Sequence, residues 1–253
     1  MNLFKFQYVL FLILFAGTTA GAQTSAGEKP TIIFVHGIWA DGSCFASQIA
    51  ALQAKGFPVI SVQNPITSLA DDVAATQRAI NMAKGKVILV GHSWGGFVIT
   101  QAGNDPKVEG LVFLAAFAPD SGETVPALSS NAAPTQLSKY LSPSGGFVYL
   151  SEEGVKTVFA GDLSPDRQKL VFATQTPASH TVFADKSAAP AWKHKPAWFA
   201  VAKNDKTINA DLERFMAKRM KANTIELESS HVEMLSRPAE VLKLIEEAAS
   251  FKY

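Results

Sequence analysis

Val87-Ile88-Leu89-Val90-Gly91-His92-Ser93-Trp94-Gly95-Gly96 is the stretch on which the reading of this chain turns. Four consecutive apolar residues, three of them β-branched, run straight into a Gly-x-Ser-x-Gly turn. The residues from Trp94 to Gly103 then read as a helix. A serine in that setting sits on a tight strand-to-helix bend, with its hydroxyl displayed and a helix N-terminus behind it. Serine is a weak nucleophile unless a neighbouring base activates it. The motif therefore asks the rest of the chain for a base, an acid to orient that base, and donors for an oxyanion.

Outward from this point the chain alternates strands and helices. The pattern predicts a strand over Thr31–Val35, a helix over Ser43–Lys55 with Ser43 as N-cap and Gly56 beyond its end, and a strand over Val59–Val62. It then predicts a helix capped by Ser68 and running to Lys84, with Asp71 and Asp72 in its first turn and Gly85 as terminal glycine. A long apolar strand follows over Val108–Phe117. The pattern resumes with a strand over Ala197–Ala202, a helix near Asn209–Met220, a strand over Thr224–Leu227 and an amphipathic helix from Pro238 to about Ser250. Strands that are apolar throughout, rather than alternating, are those of a parallel sheet covered by helices on both faces. Residues 120–190 break the pattern. They are rich in Ser, Pro, Ala and Gly with scattered aromatics, and read as a small helical lid inserted between strands. Within it, Ser164-Pro165-Asp166 is a helix-start signal.

The composition of the 253 residues is that of a globular chain, 47% hydrophobic and 18% charged, with a formal net charge of +1. No basic run suggests a nucleic-acid partner. Residues 1–22 read as a signal peptide: Lys5 precedes an apolar run from Phe6 to Phe15, and Ala20-Gly21-Ala22 forms a small-x-small cleavage site before Gln23. The apolar run is shorter than the ~18–20 residues of a membrane span, so no stable membrane anchor is expected after cleavage. The mature chain is expected to be a single domain, residues 23–253, exported to the periplasm or the medium. Oligomeric state leaves no mark in the sequence. The one cysteine, Cys44, has no intrachain partner and reads as a small buried hydrophobe.

The base expected for Ser93 is His231, in Glu228-Ser229-Ser230-His231 after the last predicted strand. The orienting acid is Asp205, in the turn after the preceding strand. Asp120, after the Phe117 strand, is the rival acid. The three residues fall in the order Ser, Asp, His, each at the C-terminal end of a predicted parallel strand, where open α/β sheets bind their ligands. Backbone amides of Ile38 and Trp94 are the expected oxyanion donors. Trp39, Trp94 and His180 are candidates for the substrate pocket. Of the other histidines, His36 is expected to brace the first turn by hydrogen bonding, His92 to point away from the nucleophile, and His194 to be solvated. No Cys/His cluster has metal-ligand spacing, and no metal or other cofactor is expected.

With H-G-I-W at residues 36–39, G-H-S-W-G-G at residues 91–96 and the Asp205 and His231 turns in hand, the chain resembles the α/β-hydrolase-fold enzymes over residues 31 to 250. The stretch H-G-I-W-A-D-G-S-C-F and the place of the lid look most like the small esterase branch, which includes plant methyl-ester esterases and hydroxynitrile lyases. The lyases of that branch carry a Thr in the first-strand turn and a Lys beside the catalytic histidine. Here Gly37 and Val232 stand at those places, so the resemblance implies hydrolysis rather than cyanide chemistry. Dehalogenases and epoxide hydrolases of the fold use Asp as nucleophile, unlike Ser93. The expectation is a carboxylesterase acting on a small-molecule ester. Perhydrolase, thioesterase, amidase or lactonase activity on the same triad is the alternative, and a non-catalytic small-ligand binder is the alternative from another class.

Overall fold

A computed structural model describes residues 29–252 of the chain; the expected signal peptide lies outside the described residues. The core opens with β1 (Thr31–Val35), buried on both faces, and continues through α1 (Ala46–Ala54), β2 (Val59–Val62), α2 (Leu69–Met82), β3 (Val87–His92), α3 (Trp94–Ala102) and β4 (Val108–Leu114). The lid segment holds α4 (Val125–Ser129), β5 (Leu141–Ser144), β6 (Phe147–Leu150), α5 (Glu152–Gly154), α6 (Pro165–Thr174) and β7 (Ala178–Ser179). β8 (Ala197–Ala202), α7 (Ala210–Met220), β9 (Asn223–Leu227), α8 (Glu233–Ser236) and α9 (Pro238–Ser250) complete it.

Six strands form one parallel sheet in the order β2-β1-β3-β4-β8-β9. From β1 the chain steps outward to β2, then returns past β1 to β3 and continues in that direction. Right-handed crossovers on a path that reverses once put α1 on one face and α2, α3 and α7 on the other. α9 pairs with α1 and packs on β4 and β8. The reversal leaves a crevice at the C-terminal ends of β1 and β3, the usual ligand site of such a sheet.

Several element ends differ from the sequence expectation. Asp41, not Ser43, caps the first turn: its carboxylate accepts from the Ser43 amide at 2.6 Å, and a 3₁₀ turn over Gly42–Phe45 leads into α1. Ser68 does cap α2, accepting from the Asp71 amide, but the helix ends when Ala83 turns extended, before Lys84 and Gly85. β4 stops at Leu114 because Ala115 takes a positive φ of 40°. α6 starts at Pro165, yet the Ser164 side chain makes no capping bond. The lid is not purely helical: β5, β6 and β7 form a three-stranded antiparallel sheet. Its hairpin turns at Gly145-Gly146, both with positive φ, the geometry a two-residue β-turn demands and glycine supplies.

Candidate active site

Ser93 joins β3 to α3 with φ 52° and ψ −119°, a conformation an L-residue holds only when its surroundings enforce it. The enforcement is main-chain. The Ser93 amide donates to the Leu114 carbonyl at 3.1 Å, and its own carbonyl accepts from Gly96 and Phe117. Glycine at position 95 lets α3 reach β1: a Cβ there would lie 2.1 Å from the Val35 carbonyl oxygen. Glycine at position 37 is needed for the same reason, since a Cβ would lie 2.6 Å from Ser93 Cβ and 2.9 Å from the His92 carbonyl oxygen. Among the described residues, no hydrogen bond engages the amides of Ile38 or Trp94. Both residues line the same cavity as Ser93.

His231 and Asp205 meet at the far side of the sheet end. His231 Nδ1 donates to Asp205 Oδ2 at 2.5 Å, and both side chains are fully buried. Asp205 Oδ1 accepts from the amides of Thr207 and Ile208 at 2.6 and 3.0 Å, so the carboxylate is held from two directions. His231 Nε2 is buried without a hydrogen-bond partner, so the Ser93–His231 bond implied by the sequence reading is not formed. Such catalytic bonds are commonly long outside the Michaelis complex. Phe159 and His92 flank the His231 ring, with centroids at 5.1 and 4.8 Å.

His92 therefore does not simply face away from the site. The loop bearing His231 passes the end of β3, and His92 Nε2 bonds the His231 carbonyl at 3.0 Å. Burial, and then His231 itself, push the His92 pKa well down, so this ring stays neutral. His36 braces the first turn: its Nε2 accepts from the Asn64 amide at 2.9 Å and its Nδ1 donates to the Gly37 carbonyl. Burial lowers its pKa as well. Asp120 is turned outward to Lys193 and does not reach the histidine. His180, expected in the pocket, does not line the cavity over Ser93. Its amide and its Nδ1 both bond the Gly146 carbonyl, which holds the side chain exposed beside the lid hairpin, off the cavity wall. His194 is exposed, and Cys44 is buried with its thiol pKa pushed up by that burial.

The cavity over Ser93 has a volume of about 360 Å³. Trp39, Trp94, Phe117, Leu137, Leu141 and Phe183 give it an apolar wall, and Thr135, Ser138 and Thr207 add hydroxyls; no charged side chain lines it. Trp39 separates it from a second cavity of about 290 Å³ beside Phe159, Arg167 and Val232, which does not reach Ser93. The lid is tied to the loops that carry the site. Trp39 Nε1 donates to the Val148 carbonyl, Thr207 Oγ1 to the Val158 carbonyl, and the Ser230 amide to Asp162.

Four acids that sequence reasoning did not assign to the site lie in or beside it. Asp162 holds Ser230, the residue before His231. Asp72 is fully buried, accepts from the Trp94 indole at 2.7 Å and from the Ile66 amide at 2.9 Å, and has its pKa raised by burial to about 6. Glu213 and Glu233 are fully buried near Asp205, and burial together with the Asp205 charge pushes both carboxyl pKa values well up. Among the described residues, no group of three or more His, Cys, Asp or Glu side chains is arranged to hold a metal ion.

A parallel sheet with a strained serine at the switch point and a buried His–Asp pair beside it is the architecture of an α/β hydrolase. Residues 32–244 match the model of the alpha/beta hydrolase family, and the chain belongs to that family. Among curated proteins it is similar to the carbendazim hydrolyzing esterase of Nocardioides sp. strain SG-4G, 33% identical over 129 residues, which is 46% of this chain and 52% of that protein. The match thus spans about half the length of that relative. Among solved structures, a pyrethroid hydrolase from Sphingobium faniae JZ-2 superposes with a TM-score of 0.72 at 22% identity, covering 87% of this chain and 98% of the other. The methylesterase MES16 from Arabidopsis does so with a TM-score of 0.72 at 20% identity, covering 88% and 100%. At these identities the likeness is one of fold.

Proposed function

We propose that this chain is an exported serine hydrolase that cleaves small, uncharged carboxylic esters through an acyl-enzyme on Ser93. The observation that carries the reading is the 2.5 Å contact of His231 Nδ1 with Asp205, which leaves Nε2 without a partner at the sheet end that also bears Ser93. Ser93 Oγ attacks the ester carbonyl carbon while its proton passes to His231 Nε2. Asp205 stabilises the imidazolium. The carbonyl oxygen, now an anion, is received by the amides of Ile38 and Trp94. The proton on Nε2 goes to the departing alkoxide as the C–O bond breaks. Water then attacks the acyl-enzyme by the same route, returning Ser93 and releasing the acid.

The uncharged cavity wall supports neutral acyl and alcohol groups, because a buried charge there would have no partner. The family and the esterase among its relatives support ester hydrolysis. A lyase-type Thr at position 37 has no room, since even a Cβ would overlap Ser93. The test is labelling by a fluorophosphonate probe, which should modify Ser93 alone, together with a panel of p-nitrophenyl esters, thioesters, amides and lactones. Failure of Ser93 to label in folded protein favours a ligand binder. Turnover of amides or thioesters in preference to esters replaces the ester assignment. Export predicts a secreted or periplasmic product whose N-terminal residue is Gln23.

A further inference from the structure

Glu213 has no part in the mechanism above, yet it is one of the most deeply buried charged residue types in the fold and stands beside the triad acid. It lies on the inner face of α7, whose buried positions Ala210, Leu212, Glu213, Met216, Ala217 and Met220 form one stripe. Its side chain is fully enclosed. Oε2 accepts from the Ala202 amide at 3.0 Å, at the end of β8. Oε1 is buried and meets no donor. Its neighbour is Asp205: Ala202, whose amide donates to Glu213, accepts from the Asp205 amide on its own carbonyl at 3.1 Å.

Two ionised carboxylates cannot share a hydrogen bond, because neither has a proton to give. A bond between Glu213 and Asp205 forms only if one of them is protonated. Asp205 already accepts from three donors, His231 Nδ1 and two amides, and has no unmet acceptor. Glu213 has a single amide donor and a bare second oxygen. The charged groups acting on it are both acids: Asp205 from the β8–α7 turn and Glu233 from α8. Its helix neighbour Arg214 is turned to the surface, where it pairs with Glu226 and Asp211. The proton therefore belongs on Glu213.

We propose that Glu213 is a positioning residue for the triad: a neutral carboxylic acid whose Oε1–H donates to the Asp205 carboxylate and fixes the plane in which Asp205 presents Oδ2 to His231. The proposal rests on the assignment of Asp205 and His231 to catalysis, and extends it one residue deeper. Burial and the two neighbouring acids, which push the Glu213 pKa well up, agree with it. In the alkaline range, loss of this proton turns a donor to Asp205 into a second negative charge against it. Activity should fall there.

The experiment compares Glu213→Gln and Glu213→Leu with the parent, reading kcat and KM across pH and the infrared carbonyl stretch of protonated carboxylic acids, above the amide I band. Gln keeps both contacts, donating through its amide to Asp205 and accepting from Ala202. Glu213→Gln should retain kcat within about threefold at neutral pH and lose the alkaline fall. Glu213→Leu, if it folds, should lose kcat by roughly 10–100-fold with little change in KM, the size expected for one charge-assisted hydrogen bond. The parent-minus-Gln spectrum at neutral pH should show one carboxylic-acid band that shifts in D₂O. Absence of that band overturns the proposal whatever the activities are, and so does a Gln variant that loses kcat as the Leu variant is expected to. Failure of the esterase reading would appear separately, as loss of no activity on Ser93→Ala.

Discussion

Beneath the cavity, Ser93 is fixed by main-chain atoms: the Leu114 carbonyl, the amides of Gly96 and Phe117, and backbone packed against Gly37 and Gly95. Above it, the lid is built from short elements and a three-stranded sheet, with Leu170 and Phe172 exposed and no buried residue in α6. The floor tolerates almost no change of shape because its contacts are backbone to backbone. The roof presents the side chains Leu137, Leu141 and Phe183, carried by short lid elements outside the parallel sheet. Reaction type is thus written in the floor and substrate fit in the roof.

The largest effect should come from the floor. Ser93→Ala should leave the far-UV spectrum and melting temperature close to those of the parent and lower ester turnover by up to about 10⁶-fold, as removal of a triad member does elsewhere. A variant turning over at the parent rate would sink the comparison. Gly37→Ala is the sharper probe, because it adds one methyl group where the nearest atom is Ser93 Cβ at 2.6 Å. The added methyl must displace the serine or the His92 carbonyl, and kcat should drop by roughly 100-fold, the cost of a misplacement near 1 Å. Retained kcat in a folded Gly37→Ala protein would mean that the floor is softer than its contacts indicate.

Asp72 links the floor to pH. It titrates at about 6 in the folded chain, against an ordinary aspartate value near 4 when unfolded, as in model peptides. On acidification the folded state takes up this proton first, so the contribution of Asp72 to stability improves as pH falls from about 6 towards about 4, and its penalty is present in full above that range. Between pH 7 and pH 4 the parent should gain about 2–3 kcal/mol relative to Asp72→Asn in denaturant unfolding. A constant difference between the two proteins would remove Asp72 as a buried anion. The smallest effect belongs to the roof. Phe183→Ala should raise KM for bulky esters by roughly tenfold while leaving kcat for acetyl esters unchanged. An equal loss on both substrates would place Phe183 in the catalytic floor instead.

The same division explains what could be read from the sequence. β1, β3 and β8 are continuous apolar runs, and the elbow, the Asp205 turn and the His231 turn each follow a strand directly, so local pattern was enough. The lid reads as helical in the sequence because its strands are only two to four residues long and one contains Pro143. Asp72 and Glu213 escaped for another reason. Acids in a first helical turn usually face solvent and favour the dipole, as Asp71 and Asp211 do. The register held the answer: Asp72 falls in line with Leu69, Ala75, Thr76 and Ala79 on the buried face of α2, and Glu213 with Met216, Ala217 and Met220 on that of α7. A charged residue inside an apolar stripe was the signal, and only the fold could say which group it meets.

The three tethers from the lid end on Trp39, Thr207 and Ser230, residues next to or near Ile38, Asp205 and His231. A roof fastened at those points swings away as one body only by breaking all three bonds. Rotation of side chains such as Phe183 and Leu137 is the smaller rearrangement, and it falls on the fast timescale of rotamers rather than that of domains. Admission by this route leaves the loops that carry Ser93, Asp205 and His231 where they are.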